Sequence, residues 1–175
     1  MSRWSVQATK ERPKGESDVN IRFLIPGKCR EKFISDGVDE YLKRLSKYAK
    51  VSLVYLSEES IPSSQPSLVQ KALQIEAKRA LKLIKDDEVL FLCDIHGKRF
   101  DSSSFSQVIK EKSSSKGNFV FLFGSSYGLD DSLRKRADVS FSLSDFTFTH
   151  YMALLLVVEQ VYRSMKIIRG ETYDK

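Results

Sequence analysis

The sequence predicts an α/β fold, a single domain in which a mostly parallel sheet is flanked by helices. Short apolar runs typical of buried strands alternate along the chain with longer amphipathic stretches that have helical spacing. Parallel strands need crossover connections, which are usually helical, so this alternation indicates a parallel sheet with helices on its faces. The 175 residues, 41% of them hydrophobic, are sufficient for one continuous core.

The predicted elements follow each other at short intervals from residue 20 onwards. Residues 1–19 have no apolar periodicity, and Pro13 and Gly15 disfavour regular structure, so we expect a flexible extension followed by a domain over 20–175. The predicted strands cover residues 20–25, 51–56, 88–93, 118–123 and 139–143. The predicted helices cover residues 28–48, 68–84, 102–112, 131–136 and 150–168, and residues 58–67 are expected to form a loop.

The composition bounds the classes of partner. The formal net charge of +6 favours a polyanionic partner such as nucleic acid, although many basic proteins bind none. Two cysteines and two histidines are too few for a disulfide framework or a zinc site, so we expect no metal. The best membrane candidate, residues 152–158, is far shorter than the roughly 20 residues that cross a bilayer. We therefore expect a soluble protein without a membrane partner.

A glycine-containing loop follows the predicted strand over 118–123. In the stretch FLFGSSYGLDDSLRKRA (121–137), Gly124 ends the apolar run and Gly128 comes four residues later. In open α/β sheets, ligands bind beyond the carboxyl ends of the strands, which is where Gly124 stands. The loop has neither the Gly-Lys-Ser/Thr of a P-loop nor a G-x-G-x-x-G fingerprint, so a phosphate-free nucleoside is a better candidate than a nucleotide. A plain turn is the alternative.

A second loop, SLSDFTFTH (142–150), precedes the last predicted helix. Phe146 and Phe148 are apolar side chains in a loop, where they are unfavourable unless something covers them. A ligand would cover them, and so would packing into the core. Thr149 is a candidate N-cap for the helix that follows.

The last predicted helix is apolar on nearly all sides up to Val158, where a surface helix would have one apolar stripe. Two explanations are open, a deep core position and a subunit interface. In a chain of this size we favour the interface, and therefore a homodimer.

Three stretches of the chain form a recognisable pattern: IRFLIPGKCREKFISDGVDEYLKRLSKY (21–48), LCDIHGK (92–98) and FLFGSSYGLDDSLRKRADVSFSLSDFTFTHYMALLLVVEQVYRSMKIIRGETYDK (121–175). They resemble the ribosomal RNA large subunit methyltransferase H family, which belongs to the SPOUT superfamily of trefoil-knotted methyltransferases. The resemblance covers residues 20–175, and it is most specific at the C-terminal end. It implies a C-terminal α/β trefoil knot, a homodimer, and S-adenosylmethionine as the cofactor. It further implies methylation at N3 of a pseudouridine in large-subunit rRNA on the assembled ribosome.

The resemblance also implies a set of cofactor-binding residues in the knot. These are Cys93, Gly124, Leu143, Ser144, Asp145, Phe146, Thr147 and Phe148. The family usually has leucine where Cys93 stands, a second glycine at Ser125, and proline where Thr149 stands. None of these departures removes a pocket that acts through backbone groups and shape, and a cysteine is apolar enough for a pocket wall.

Three residues are candidates for the catalytic side of the site. Arg163 and Tyr173 match family positions that contact RNA or shape the site, and His150 is the remaining titratable group, although it also suits a structural cap. The family often has arginine at Leu154 and histidine at Asp174. These two departures favour one alternative, a non-catalytic RNA-binding or ribosome-assembly protein that kept the fold. A flavodoxin-like nucleotide binder fits the alternation but not the C-terminal motif.

The resemblance does not define the compartment. The expected location is the cytoplasm, with a chloroplast or mitochondrion as the alternative because residues 1–19 extend beyond the family pattern. Glu11, Glu16 and Asp18 count against an organelle transit segment, since such segments contain few acidic residues.

Overall fold

A computed structural model of the protein describes residues 7–8 and 19–173, and within them six strands and five helices are present. The strands are β1 (Gln7–Ala8), β2 (Asn20–Pro26), β3 (Lys50–Leu56), β4 (Val89–Arg99), β5 (Asn118–Phe123) and β6 (Val139–Ser142). The helices are α1 (Lys32–Leu45), α2 (Pro66–Leu83), α3 (Ser102–Ser113), α4 (Asp131–Arg136) and α5 (His150–Ile168).

All described strands lie in one sheet with the order β1-β3-β2-β5-β4-β6. The five strands β2 to β6 are parallel, and β1 pairs with β3 in the antiparallel sense. The predicted α/β domain with a mostly parallel sheet is therefore confirmed. Because the strands are parallel, β2, β3, β5 and β6 end at the same edge, where β4 also reaches Cys93. We call this the carboxyl edge.

The observed elements depart from the prediction in three places. β4 continues past Cys93 to Arg99, and after an irregularity it pairs with β6 again, Lys98 opposite Phe141. No apolar run marks this continuation, which is why the pattern missed it. Helix α1 begins at Lys32 and not at residue 28. Helix α2 begins at Pro66, inside the predicted loop. Proline is tolerated at the start of a helix, because the N–H that it lacks has no hydrogen-bond partner in the first turn.

The N-terminal extension is described at two residues only. Gln7 and Ala8 lie opposite Leu53 and Ser52 of β3, a pairing that the absence of periodicity did not anticipate. The other residues of 1–18 lie outside the described part of the chain, so the flexible extension stays a prediction.

Helices cover both faces of the sheet and create two apolar layers. Helices α1, α3 and α5 pack on one face, and α2 and α4 pack on the other. The first layer contains a cluster of phenylalanines centred on Phe91 of β4, whose ring centroid lies 4.8 Å from that of Phe121 and 6.0 Å from that of Phe105. Phe119 and Phe141 complete the cluster. Such close aromatic packing is a large part of the core's stabilisation.

Helix α5 lies between α1 and α3, which explains its apolar character. Leu154, Val157, Val158 and Val161 are buried within this one chain. Of the two explanations for the two-sided pattern, the deep core position is therefore observed, and it accounts for Val158 fully. The homodimer stays a prediction and needs a different surface. None of the helices in the described residues has the length and apolar character needed to span a membrane.

Replacing Phe91 by alanine should lower the free energy of unfolding by about 3–5 kcal/mol, because the cavity would lie at the centre of the phenylalanine cluster. Urea denaturation followed by circular dichroism measures the change. The matched control is Ile95→Ala, since Ile95 is 66% exposed and its loss should cost less than about 0.5 kcal/mol. Equal losses in both variants would contradict the assigned core.

Candidate functional site

The predicted cofactor residues converge at the carboxyl edge, where β5 and β6 end on either side of β4. Cys93 of β4 lies opposite Phe123 of β5 and Phe141 of β6. Gly124 directly follows Phe123, and Leu143 comes two residues after Phe141. The structure thus brings together the three segments that the resemblance implied, with β4 between the other two.

The loop after β5 is a tight turn that folds back on itself. The Gly128 N–H donates to the Ser125 carbonyl oxygen at 3.0 Å. A Cβ atom on Gly124 would lie 2.7 Å from the Gly128 carbonyl oxygen and 3.0 Å from Cγ of Leu129. Glycine is therefore required at 124 by the loop's own close approach. Because Gly124 has no side chain, residues 128 and 129 can pack directly against it. A ligand at the carboxyl edge would contact the surface of this turn.

A buried ion pair fastens this loop to the sheet. The Arg134 Nε of α4 donates to Oδ2 of Asp94 at 2.6 Å, and Arg134 Nη1 donates to the Leu129 carbonyl oxygen at 3.3 Å. Burial of Asp94 raises its pKa, but the Arg134 hydrogen bond and the His96 N–H at 3.2 Å favour the carboxylate, so the pKa lies below its usual range. One guanidinium thus links β4, α4 and the loop that begins at Gly124.

The loop between β6 and α5 is held by short polar contacts and leaves its aromatic side chains outside. Ser144 Oγ accepts from the Phe146 N–H at 3.0 Å, and Asp145 forms an ion pair with Arg99. Phe146 is 80% exposed and Phe148 is 38% exposed. The alternative that both pack into the core is therefore wrong. Thr147 is also exposed.

The start of α5 agrees with the expected capping. Thr149 is the N-cap residue, and its Oγ1 accepts from the Met152 N–H at 3.4 Å. The predicted N-cap is confirmed. The threonine side chain pairs with a backbone N–H that the first helical turn would otherwise leave without a hydrogen bond. The cap fixes the direction in which the chain leaves the loop and enters the helix.

The residues at this edge fit an adenosine-type ligand. Burial, together with the nearby Asp94 charge, raises the pKa of the Cys93 thiol to about 12, so it is a neutral wall and not a thiolate nucleophile. Leu143 is half-buried against the core, and the exposed Phe146 and Phe148 offer apolar surface that a ligand could cover. Apolar walls beside a few polar groups are typical of small-molecule and cofactor sites.

His150 lies at the start of α5, directly after this loop. Its ring centroid is 4.0 Å from that of Tyr151, and its Nε2 is 3.9 Å from Oε1 of Glu58. Nε2 is buried and has no hydrogen-bond partner among the described residues. His150 therefore follows the cofactor loop in sequence and faces Tyr151 and Glu58, and its catalytic role stays a prediction.

Arg163 and Tyr173 lie together, but not at this place. The Tyr173 hydroxyl donates to Oε1 of Glu159 at 2.6 Å, the same oxygen that accepts from Arg163 Nη2 at 2.8 Å. The guanidinium carbon of Arg163 lies 3.7 Å from the centre of the Tyr173 ring. Burial and the Glu159 hydrogen bond raise the pKa of Tyr173 above its usual range. Arg163 is thirteen residues after His150, about 20 Å along the helix.

The two family departures have different outcomes. Leu154 is buried in the core, so its side chain does not reach a ligand in this chain. Asp174 lies outside the described residues. No group of three or more potential metal ligands is present among the described residues.

Sequence reasoning missed the residues that hold the site together. Asp94, Arg134 and Glu159 all carry contacts described above, yet a single charged residue is usually expected to be solvated. Asp94 had the clearest signal, since an acidic residue directly after a buried strand often marks a functional edge. Arg134 sits in a basic cluster, and nothing in the pattern distinguishes it from Lys135.

Replacing Arg134 by methionine should lower the free energy of unfolding at pH 7 by about 1–3 kcal/mol, because Asp94 would be left buried without its partner. The estimate is below that for a fully buried pair because the Arg134 side chain is 34% exposed. Urea denaturation measures it, and the exposed Lys135→Met is the control. The lowered pKa of Asp94 means that the pair stabilises above pH about 4 and that its contribution is lost as the pH falls further. The gap between wild type and Arg134→Met should therefore narrow in acid, and a gap that widens there would contradict the pair's role.

Comparisons with known proteins agree with this arrangement. The family model described as "Predicted SPOUT methyltransferase" matches residues 19–174. The ribosomal RNA large subunit methyltransferase H of Acetivibrio thermocellus is 36% identical over 159 residues, 90% of this chain and all of the relative. That of Enterococcus faecalis is 36% identical over 160 residues, with the same coverage. The solved structure described as "a probable methylase family protein from Haemophilus influenzae Rd KW20" has the same fold, with a TM-score of 0.52 and 13% identity over 87% of this chain and 67% of that one. This chain belongs to the SPOUT methyltransferase family, within the group of its large-subunit methyltransferase H relatives.

Proposed function

We propose that this protein transfers a methyl group from S-adenosylmethionine to N3 of a pseudouridine in large-subunit ribosomal RNA. The observation that carries the proposal is the convergence of Cys93, Gly124 and the 143–148 loop at one edge of the sheet, in a chain 36% identical to proteins named for large-subunit rRNA methylation. The net charge of +6 suits an RNA partner.

The residues at the carboxyl edge would hold the methyl donor. Cys93 and Leu143 would line the adenosine site, the turn at Gly124 would present its backbone, and residues 144–148 would cover the ligand. S-Adenosylmethionine, when bound, supplies an activated methyl group, so the protein's main contribution is to align the nucleophile and exclude water. His150 would accept the N3 proton, since a general base needs only to lie within reach of the proton it takes.

The trefoil knot that the resemblance implies is part of the proposal. Its support in the described residues is the close contact between β4 and β6. Phe141 of β6 lies opposite both Cys93 and Lys98 of β4, and a Cβ atom on Gly97 would lie 2.5 Å from the Phe141 backbone. A threaded chain needs segments packed as closely as this.

The separation of His150 from Arg163 supports a dimeric enzyme. About 20 Å of rigid helix lies between them, so one chain cannot bring both to the same nucleotide. A second copy could place its Arg163 and Tyr173 beside the first copy's cofactor loops. Phe33, at the start of α1, is 69% exposed, and the α1 residue Gly37 lies against Leu155 of α5, so the starts of both helices present a shared apolar surface.

Replacing Phe33 by glutamate should convert the protein to a monomer, because the change puts a charge into this surface. Sedimentation velocity at micromolar concentration measures it, with the wild type expected to sediment as a dimer. Ile95→Glu is the control, since Ile95 is similarly exposed, at 66%, but lies in β4 and not in α1. A monomeric wild type would contradict the dimer. A Val158→Glu variant would not test the dimer, because Val158 lies in the core of the single chain.

Replacing Gly124 by alanine should weaken S-adenosylmethionine binding at least tenfold, because a Cβ atom there would press on the Gly128 carbonyl and open the turn. Isothermal titration calorimetry measures the affinity, and Ser125→Ala, which leaves the backbone free of new contacts, is the control. Methyl transfer to ribosomes from radiolabelled donor tests the whole proposal. A chain that binds the donor but never labels ribosomal RNA would instead support the non-catalytic RNA-binding protein that Leu154 and Asp174 favour.

Deleting residues 172–175 should reduce methyl transfer about 100-fold while cofactor affinity and dimerisation are retained, since a displacement of about 1 Å at a reacting group can have that effect. The deletion removes Tyr173 and frees Arg163 and Glu159 from it. The ribosome assay and calorimetry give the two readouts. The control is Lys166→Ala, which breaks the ion pair of Lys166 with Glu171 and leaves Tyr173 in place. A wild-type rate in the truncated protein would exclude the tail from the site.

A further inference from the structure

The acidic residue Glu58, in the loop between β3 and α2, faces the start of α5. Oε1 of Glu58 lies 3.9 Å from Nε2 of His150. Its other oxygen and the Tyr151 hydroxyl both point at Gly27, where each lies 2.7 Å from the position that a Cβ atom would occupy. We call Glu58, His150 and Tyr151 the Glu58 cluster. No motif in the sequence marks Glu58, and the proposed function above does not use it.

The cluster leaves one polar atom in an unfavourable state. Nε2 of His150 is buried and has no hydrogen-bond partner among the described residues, and an unpaired buried polar group costs about 1–3 kcal/mol. Glu58 is the acceptor that faces it, and the Glu58 side chain is 41% exposed, so it is free to turn. Catalytic hydrogen bonds are often long before the substrate is bound and shorten in the complex.

Tyr151, the third member of the cluster, leaves Glu58 as the anion that faces His150. Burial, and then the Glu58 carboxylate, raise the pKa of Tyr151 to about 12. Tyr151 therefore stays a neutral phenol at physiological pH and does not compete with Glu58 as an anion. Its ring lies against the imidazole, with 4.0 Å between the centroids, and limits how far the imidazole can swing.

We propose that Glu58 is a positioning residue for methyl transfer. It accepts a hydrogen bond from Nε2–H of His150 and so leaves the lone pair on Nδ1, the atom that takes the proton from N3 of the substrate. This inference rests on the proposed function. The imidazolium that forms is stabilised by the Glu58 carboxylate, in the way that a buried carboxylate orients and stabilises the histidine of a hydrolase triad.

The step balances without a further reactant. The N3–H bond breaks, its proton goes to Nδ1 of His150, and its electron pair forms the new N3–methyl bond. The methyl group leaves the donor's sulfur without an electron pair, so the sulfonium charge is cancelled and one positive charge remains on His150. That charge faces Glu58, and the proton passes to water after the product leaves.

The first test is a ring nitrogen spectrum of the protein by NMR, which needs no substrate. The chain has two histidines, so a His96→Asn variant assigns the His150 signals. We expect the Nε2–H tautomer in the wild type and in Glu58→Gln, whose amide oxygen still accepts the hydrogen bond. We expect a mixture of tautomers in Glu58→Ala. The matched control is Glu59→Ala, because Glu59 lies one residue further on and pairs with Arg79 at 2.8 Å.

The second test is the rate of methyl transfer to ribosomes. We expect kcat to fall about tenfold or more in Glu58→Ala and several-fold in Glu58→Gln, which keeps the hydrogen bond but not the charge. The KM for ribosomes and the affinity for S-adenosylmethionine should not change, and Glu59→Ala should behave as the wild type. A purely structural role for Glu58 would lower stability and cofactor affinity together and would leave the tautomer unaffected.

The inference is overturned if Glu58→Ala keeps the wild-type tautomer, or if both Glu58 variants keep the wild-type kcat. Glu58→Gln has nearly the same shape as the native side chain, so it decides the question if Glu58→Ala does not fold. A wild-type protein without methyl transfer would overturn the proposed function, and the nitrogen spectrum would still show whether Glu58 holds His150.

Discussion

The pairing of Asp94 with Arg134 is the interaction on which the carboxyl edge depends. Asp94 follows the point where β4 stops pairing with β5, and Arg134 belongs to α4, a helix of only six residues. A helix this short is not stable by itself, and one apolar residue, Leu133, anchors it in the core. The Arg134 guanidinium therefore neutralises the buried Asp94 carboxylate and also holds the Leu129 carbonyl in place. The shape of the turn at Gly124 follows from both.

Ion pairs with β4 hold both loops of the site at the carboxyl edge. The loop after β6 contacts Arg99 through Asp145, and Arg99 lies on the part of β4 that follows the close approach of Gly97 to Phe141. Each of the two loops is thus tied by an arginine–carboxylate contact to β4, the strand between them. A ligand placed there would meet backbone groups and apolar walls whose positions are already fixed, which reduces the ordering cost of binding.

The layers of the fold could be predicted from the sequence, because buried strands and amphipathic helices leave a periodic pattern. The cofactor segments could be predicted only through the resemblance, since a glycine at a strand end is compatible with a plain turn. Three features were beyond reach. The continuation of β4 to Arg99 is polar, the pairing of Asp94 with Arg134 joins residues 40 apart, and the two-sided apolar pattern of α5 cannot distinguish a core from an interface. Each depends on which segments meet in space, and no local pattern records that.

In the proposed function, Glu159 would set the conditions under which Arg163 contacts RNA. One oxygen of this carboxylate accepts from both Arg163 and the Tyr173 hydroxyl, and the guanidinium lies against the tyrosine ring. A phosphate that approaches Arg163 must therefore replace an existing charge pair, so the net gain in affinity is smaller than for a free arginine. The exchange would also affect Tyr173, because the guanidinium that packs on its ring would move. In the proposed function, backbone contact by RNA and movement of the tail would therefore be coupled through Arg163, and this coupling would make Arg163 better suited to positioning the substrate than to supplying binding energy.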